Sequence, residues 1–370
     1  MRKRFSIWIL FLWFLIPSCV YATSAKIECI KKGAHATVLL YHKFNEPRSP
    51  STSISTETFE SHLAYLKNNS YNVISLDRLV EIIKKRQPFP PKTVVITIDD
   101  GYRSVYREAF PLLKRYEFPF AVFLYMEAID RYPDYMTKEQ LLDMARYEGV
   151  TFGNHSYSHE RFGRMNSRVL SERLVKDIEK SEKRFKTLLG YSPLYYAYPY
   201  GEYNISYVET IKKRGYKAAF TQDPFTAGCF SDLYLIPRVP LMGSWSSIEK
   251  LREFLEREPL PVKRFNPDFG LLSENPPEMI YFQVDFIENY TDFRIYVTEH
   301  GWFNPVVNIK DGIVYLNKIP PFQRDINRVA IRAVNKTTGK KAFFFYMVII
   351  RASNLSFLYP LPLLSLPHRW

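Results

Sequence analysis

Val94-Val95-Ile96-Thr97-Ile98-Asp99-Asp100-Gly101 is the stretch on which the reading of this chain turns. Its first five residues are all β-branched, the composition of a strand covered on both faces. The run then stops on two carboxylates and a glycine. Working outward, further apolar strands are expected at 37–41, 121–125, 150–153, 195–198, 218–221 and 234–236, with helical patterns between them. Thr56 opens one helix, whose Phe59, Leu63 and Leu66 share a face. A long amphipathic helix over 167–189 stops at Gly190, as helix C-termini prefer. Strands that alternate with helices pair in parallel, because a parallel connection needs a long crossover. The region 35–255 is therefore predicted to be an α/β fold, a distorted or incomplete (β/α) barrel. His42, Asp99, Asp100, His155 and Tyr200 each fall at or just past a strand end, where such barrels gather their chemistry.

The rest of the chain reads differently. Residues 256–278 are proline-rich and predict a linker. From Met279 the period becomes two: Ile280, Phe282, Val284 and Phe286 alternate with Tyr281, Gln283 and Asp285. Strand-like runs follow at 293–297, 312–316, 329–334 and 342–350, so 279–350 is expected to form an all-β, sandwich-like domain. The tail, 351–370, is rich in leucine and proline and has no physical account. At the other end, Arg2, Lys3 and Arg4 precede an apolar run over 5–16 and a small-x-small site ending at Ala22. Residues 1–22 thus read as a signal peptide, which predicts an exported, periplasmic or extracellular protein. An uncleaved leader, or a lipid on Cys19, would anchor it to the membrane instead. In an oxidising compartment Cys29 and Cys229 have the option of pairing, which spacing alone does not decide.

The composition, 46% hydrophobic and 24% charged, is that of a folded globular chain. The formal net charge is +13, and loss of Arg2, Lys3 and Arg4 would lower it to +10. In an exported protein that charge suits an anionic envelope surface. Export and the absence of a nucleic-acid motif argue against a nucleic-acid partner. Oligomeric state is not legible.

Asp-Asp-Gly alone is the composition of a solvated turn. At a strand end, with Gly101 freeing the backbone, both carboxylates can be turned toward one site, one to bind a metal and one to take a proton. His155-Ser156-Tyr157-Ser158-His159 supplies two imidazoles four apart, able to reach one ion. One Asp and two His form a three-ligand site with positions left open, a catalytic rather than a structural pattern. In Ala197-Tyr198-Pro199-Tyr200-Gly201, the Tyr200 backbone N–H is a candidate donor to a developing oxyanion.

Together these runs resemble the polysaccharide deacetylases with the NodB-homology domain, carbohydrate esterase family four. Thr97-Ile98-Asp99-Asp100-Gly101 resembles the first motif of that family, with Ile98 where phenylalanine is usual. The His-Ser-x-x-His run matches the second in full, and Tyr198-Pro199-Tyr200-Gly201 resembles the third. Ala197 stands where the third motif commonly has the arginine that orients the base, and Arg238 is a candidate replacement. The late Leu-x-His motif is missing: after Gly201 the only histidines are His300 and His368. The early Tyr41-His42 instead resembles the circularly permuted branch, which includes poly-N-acetylglucosamine deacetylases. The likeness runs over 37–239.

The resemblance implies a role for each residue. Asp100, His155 and His159 would hold a divalent cation, zinc first, with nickel or cobalt also compatible. Asp99 would be the base and His42 the acid, acting on an N-acetylated polysaccharide. Tyr41, Tyr102 and Tyr198 are candidates to pack on sugar rings, with core packing the alternative for at least some of them. Two other classes remain in view. A glycosidase sets its carboxylates about 5 Å or more apart on separate supports, which suits adjacent aspartates poorly. A binding or scaffold protein would not need the ligand set.

Overall fold

The computed structural model describes residue 30 and residues 34–350 apart from 166, with 167–169 as backbone only. The expected leader with Cys19, the tail over 351–370 and Cys29 lie outside the described residues. No helix among the described residues is long and apolar enough to cross a membrane.

Six parallel strands build the first region in chain order: β1 (His35–Tyr41), β2 (Thr93–Asp100), β3 (Phe120–Leu124), β4 (Val150–Asn154), β5 (Tyr195–Ala197) and β6 (Ala218–Phe220). The sheet curls into an incomplete barrel. The strand expected at 234–236 shrinks to one bridge, Ile236 to Phe220, while β7 (Val239–Pro240) pairs with Leu39 and Leu40 of β1. Residues 236–240 thus touch both edges of the sheet. A short strand, Ala227–Gly228, adds an antiparallel partner to β1.

Strand alternation sorts the side chains of β2. Val94, Ile96 and Ile98 pack in an outer cluster with Phe59, Leu63, Leu113 and Leu141 from the surrounding helices. Val95 faces an inner cluster with Val38, Ala121, Phe123, Tyr195 and Phe220. Asp99 follows Val95 and Thr97 on the inner face at period two.

The helices are α1 (Thr56–Asn68), α2 (Leu76–Lys85), α3 (Phe110–Tyr116), α4 (Lys138–Met144), α5 (Ser167–Leu189), α6 (Ile205–Lys213) and α7 (Ile248–Leu255). Side-chain caps start most of them. Ser55, Ser75, Asn204 and Ser247 each accept a first-turn N–H, and Thr137 with Gln140 forms a capping box. Each such cap is worth about 1 kcal/mol. Leu76, Leu79 and Val80 of α2 enter the inner cluster, and Asp77 accepts the Tyr195 hydroxyl from the first residue of β5. Helix α2 therefore covers the barrel end opposite the carboxylates.

The C-terminal region is all β. Its longer strands are β8 (Met279–Val284), β9 (Tyr290–Val297), β10 (Ile313–Asn317), β11 (Ile326–Asn335) and β12 (Lys341–Ile349). They fall into two sheets, β12-β11-β9 and β8-β10, each with short flanking strands. The sheets share one core, in which Ile280, Phe282 and Val314 meet Ile295, Val297 and Ile331. The stretch read as a linker, 256–278, is drawn into these sheets. Glu258–Pro259 and Gly270–Leu271 pair with β12, and Val262–Asn266 pairs with β8. Leu260 and Leu272 explain this: both are buried in that core, and so carry their backbone into pairing distance. Met347 and Ile349 of β12 pack against Tyr196, Tyr198 and Tyr203, so the all-β region leans on the barrel.

Candidate active site

Two backbone devices bring the aspartates to one place. Asp99 ends the inward-facing series of β2. Asp100 would point outward by alternation, but it takes a left-handed φ of 73° and Gly101 one of 77°. That twist returns the Asp100 carboxylate to the cleft. With φ at 77°, a Cβ on Gly101 would be strained, and it would also lie 2.8 Å from Ile129 Cδ1 and 2.9 Å from Leu124 Cδ2, so this turn favours glycine.

The histidines come from the loop after β4. Ser156 and His159 both have left-handed φ, and Ser156 Oγ accepts the His159 N–H at 2.9 Å. His155 Nδ1 lies 2.8 Å from the Ala197 carbonyl, which can only accept, so Nδ1 carries the proton and Nε2 presents a lone pair. Burial pushes the His155 imidazole down to about 4, which keeps it neutral. Its 3.5 Å approach to Asp100 Oδ1 is therefore not an ion pair at neutral pH. His159 Nε2 lies 3.2 Å from the same oxygen. Burial pushes the Asp100 carboxyl up, but the surrounding imidazoles outweigh it and hold it well below the usual range.

Asp100, His155 and His159 each offer one ligand atom, all within 4.8 Å of one another. Asp100 Oδ1, His155 Nε2 and His159 Nε2 are all buried, and none has a hydrogen-bond partner. Three converging, unpartnered donors of two types fit a divalent cation, since such groups left bare would be costly.

Asp99 is fully buried and gripped by Arg238, also fully buried. Nη1 donates to Oδ1 at 2.6 Å and Nη2 to Oδ2 at 2.8 Å. Arg238 Nε is anchored on the Thr221 carbonyl at 2.9 Å. Burial pushes the Asp99 carboxyl up, but the guanidinium beside it prevails and holds it below its ordinary value. His42, just past β1, sets Nε2 at 3.9 Å from Asp99 Oδ2. The structure thus gathers Asp99, Asp100, His42, His155, His159 and Arg238.

Tyr200 lines the same cleft, with φ of 60°. A Cβ on the next residue, Gly201, would meet Gln222 Cβ at 2.5 Å. The cleft holds about 610 Å³ and is walled by Tyr102, Tyr125, Tyr135 and Tyr200. Of the tyrosines expected against sugar rings, only Tyr102 lines it. Tyr41 and Tyr198 are wholly buried, because Tyr41 packs in the outer cluster on Phe59 and His62 of α1 and Tyr198 packs on Tyr207 of α6.

Other residues carry little signal in the linear pattern. Tyr135 stacks on Tyr102 at 4.6 Å, and Lys43 lies over Tyr102 at 4.3 Å. Asp177 of α5 accepts the Tyr157 N–H at 2.9 Å and the Ser158 N–H at 2.8 Å, cradling the histidine loop. An acidic residue on the core side of an amphipathic helix was the one available hint.

Residues 86–219 match the polysaccharide deacetylase family. A poly-β-1,6-N-acetyl-D-glucosamine N-deacetylase of Staphylococcus aureus is 27% identical over 218 residues, covering 57% of this chain and 75% of that protein. Among solved structures, IcaB from Ammonifex degensii superposes with a TM-score of 0.54 at 24% identity, over 60% of this chain and 97% of its own. The Streptococcus pyogenes deacetylase PplD, in complex with acetate, gives 0.54 at 19%, over 60% and 98%. These two share the fold of the barrel region.

Proposed function

We propose that this chain, which carries a polysaccharide deacetylase domain, removes N-acetyl groups from an N-acetylglucosamine polymer outside the cytoplasm, with the help of a divalent cation. The observation that carries the reading is the set of unpartnered ligand atoms on Asp100, His155 and His159, beside an ionised Asp99 in one open cleft. The polymer follows the Staphylococcus aureus relative, whose substrate is named as β-1,6-linked. Export rests on the leader-like N-terminus and on Cys229, which is disulfide-bonded.

In this reading Asp100, His155 and His159 hold the cation, zinc first by its donor set. Bound there, a divalent cation supplies Lewis acidity, which polarises an amide carbonyl and makes water a stronger acid. Asp99, kept ionised by Arg238, accepts the proton of the attacking water. The water oxygen bonds to the acetyl carbon. The Tyr200 N–H donates to the oxyanion that develops on the former carbonyl oxygen. The carbon–nitrogen bond then breaks as His42 gives a proton to the departing amine, and the products are acetate and a free amino sugar.

The test is acetate release from β-1,6-linked N-acetylglucosamine oligomers by the purified protein. Chelation should abolish release, and zinc, cobalt or nickel should restore it. New reducing ends without acetate would identify a glycosidase instead. A chelator-treated protein that turns over at the full rate would remove the cation from the reading.

A further inference from the structure

The cleft has a second feature that the deacetylation chemistry leaves unused. Arg161 lies two residues past His159, and its guanidinium sits 3.7 Å above the Tyr200 ring. Tyr200 is 40% exposed, and its ring centre is 4.6 Å from that of His159. Arg161 and Tyr200 both line the cleft. A guanidinium on an aromatic face is a flat, preorganised surface. Among the described residues, the only side-chain hydrogen bond of Arg161 runs through Nη1 to Glu202. Its other N–H groups remain to meet the hydroxyls and acetamide oxygen of a sugar.

This surface is tied to the all-β region. Glu202 is 3% exposed and needs compensation for its charge. Arg164 grips it with Nε at 2.8 Å and Nη2 at 2.9 Å. The third nitrogen of Arg164, Nη1, reaches Asp325 at 3.3 Å, one residue before β11. Packing follows the same line. Gly270 approaches so closely that a Cβ there would lie 2.6 Å from Asn204 Cβ, and Asn204 Nδ2 donates to the Gly163 carbonyl at 2.8 Å. The loops 161–165 and 198–204 are thus held together, with the C-terminal sheets behind them.

We infer that Arg161 on Tyr200 forms a binding wall for the sugar unit beside the reacting one, and that the C-terminal sheets position this wall through Asp325, Arg164 and Glu202. Arg161 is the specificity residue. Arg164 and Asp325 are positioning residues that never touch the polymer. The inference rests on the deacetylase reading for its substrate class, but binding tests it separately.

The experiment compares wild type, Arg161→Ala, Asp325→Ala and Asp325→Glu on β-1,6-linked N-acetylglucosamine oligomers of one to six units. Acetate release and oligomer affinity by calorimetry are both measured. Arg161→Ala should raise KM about tenfold on oligomers and leave kcat within twofold, with little change on the monosaccharide. Asp325→Ala should raise KM about threefold at unchanged kcat and metal content, and Asp325→Glu should restore it. Unchanged KM and affinity in Arg161→Ala would overturn the wall. A lower melting temperature with unchanged KM in Asp325→Ala would reduce the tether to plain structure and overturn the positioning. A wild type that binds oligomers without releasing acetate would sink the deacetylase reading alone. Equal affinities of wild type and Arg161→Ala would sink the wall, as would binding by neither.

Discussion

Two buried aspartates each face an arginine, and their environments drive them in opposite directions. In the barrel, Asp99 receives two parallel hydrogen bonds from a fully buried Arg238 and is held below its ordinary value. At the junction with the C-terminal sheets, Asp223 has Arg328 Nε at 3.5 Å from Oδ1, off a hydrogen-bonding line, and accepts the Tyr203 hydroxyl at 2.7 Å on Oδ2. Burial pushes that carboxyl up, and neither Arg328 nor Tyr203 reverses it. Arg328 is about a third exposed, so solvent screens the charge it presents. The same two residue types therefore give a committed anion in one place and a reluctant one in the other. Bidentate geometry out of water makes the difference.

The largest test breaks the first pair. Arg238→Met should leave Asp99 buried without its counter-charge and cost about 3–5 kcal/mol of stability, as removing one partner of a buried pair does. Chemical denaturation at neutral pH measures it. The Asp99 carboxyl should rise and activity should fall with it. A variant as stable as wild type would mean that Arg238 does not hold the charge.

Asp99→Asn removes the proton acceptor and keeps the shape. Acetate release should fall by about 10³-fold, within the range for loss of a general base, while cation content stays at the wild-type level. Full activity in this variant would move the base elsewhere.

Asp223→Asn sharpens the contrast from the other side. A carboxyl already reluctant to ionise loses little as an amide, so stability should change by less than about 1 kcal/mol and kcat should not move.

The two pairs also differ in pH dependence. Asp99 has a depressed folded-state value, so its contribution is present above the ordinary carboxylate range, near 3.9, and is lost as pH falls toward its lower folded value. Asp223 has a raised one, so its contribution is complete below about 3.9 and fades as pH rises through the folded value. Denaturation midpoints of Asp223→Asn and wild type, followed from about pH 3 to about pH 7, should converge toward acid, where the wild-type carboxyl is neutral like the amide, and separate as pH rises, where wild type loses. Parallel curves would show that Asp223 ionises as it does in the unfolded chain.

Local pattern made the barrel legible. The β-branched run ending at Asp99 and Asp100, the strand and helix alternation over 35–255, and the His-Ser-x-x-His spacing are each built from short-range repeats, and period and strand-end position read them directly. The period-two pattern after Met279 did the same for the all-β region. Boundaries gave way where burial of single residues decided the outcome. Leu260 and Leu272 drew the proline-rich 256–278 into the sheets, and the strand expected at 234–236 became a single bridge.

Tertiary structure alone decided which charges meet. Arg238 and Asp99 are 139 residues apart, and they pair because the segment that bridges the barrel edges carries the arginine inward. Arg238 was one candidate in the sequence, with nothing local to distinguish it from a surface arginine. Tyr135 on Tyr102 and the line from Asp325 to Tyr200 left no usable mark in the sequence, and Asp177 under the histidine loop left only an acidic residue on the core side of a helix. The physical reason is common to all of them. A strand or helix announces itself by repetition along the chain, whereas a buried charge is satisfied by whichever element the fold brings beside it.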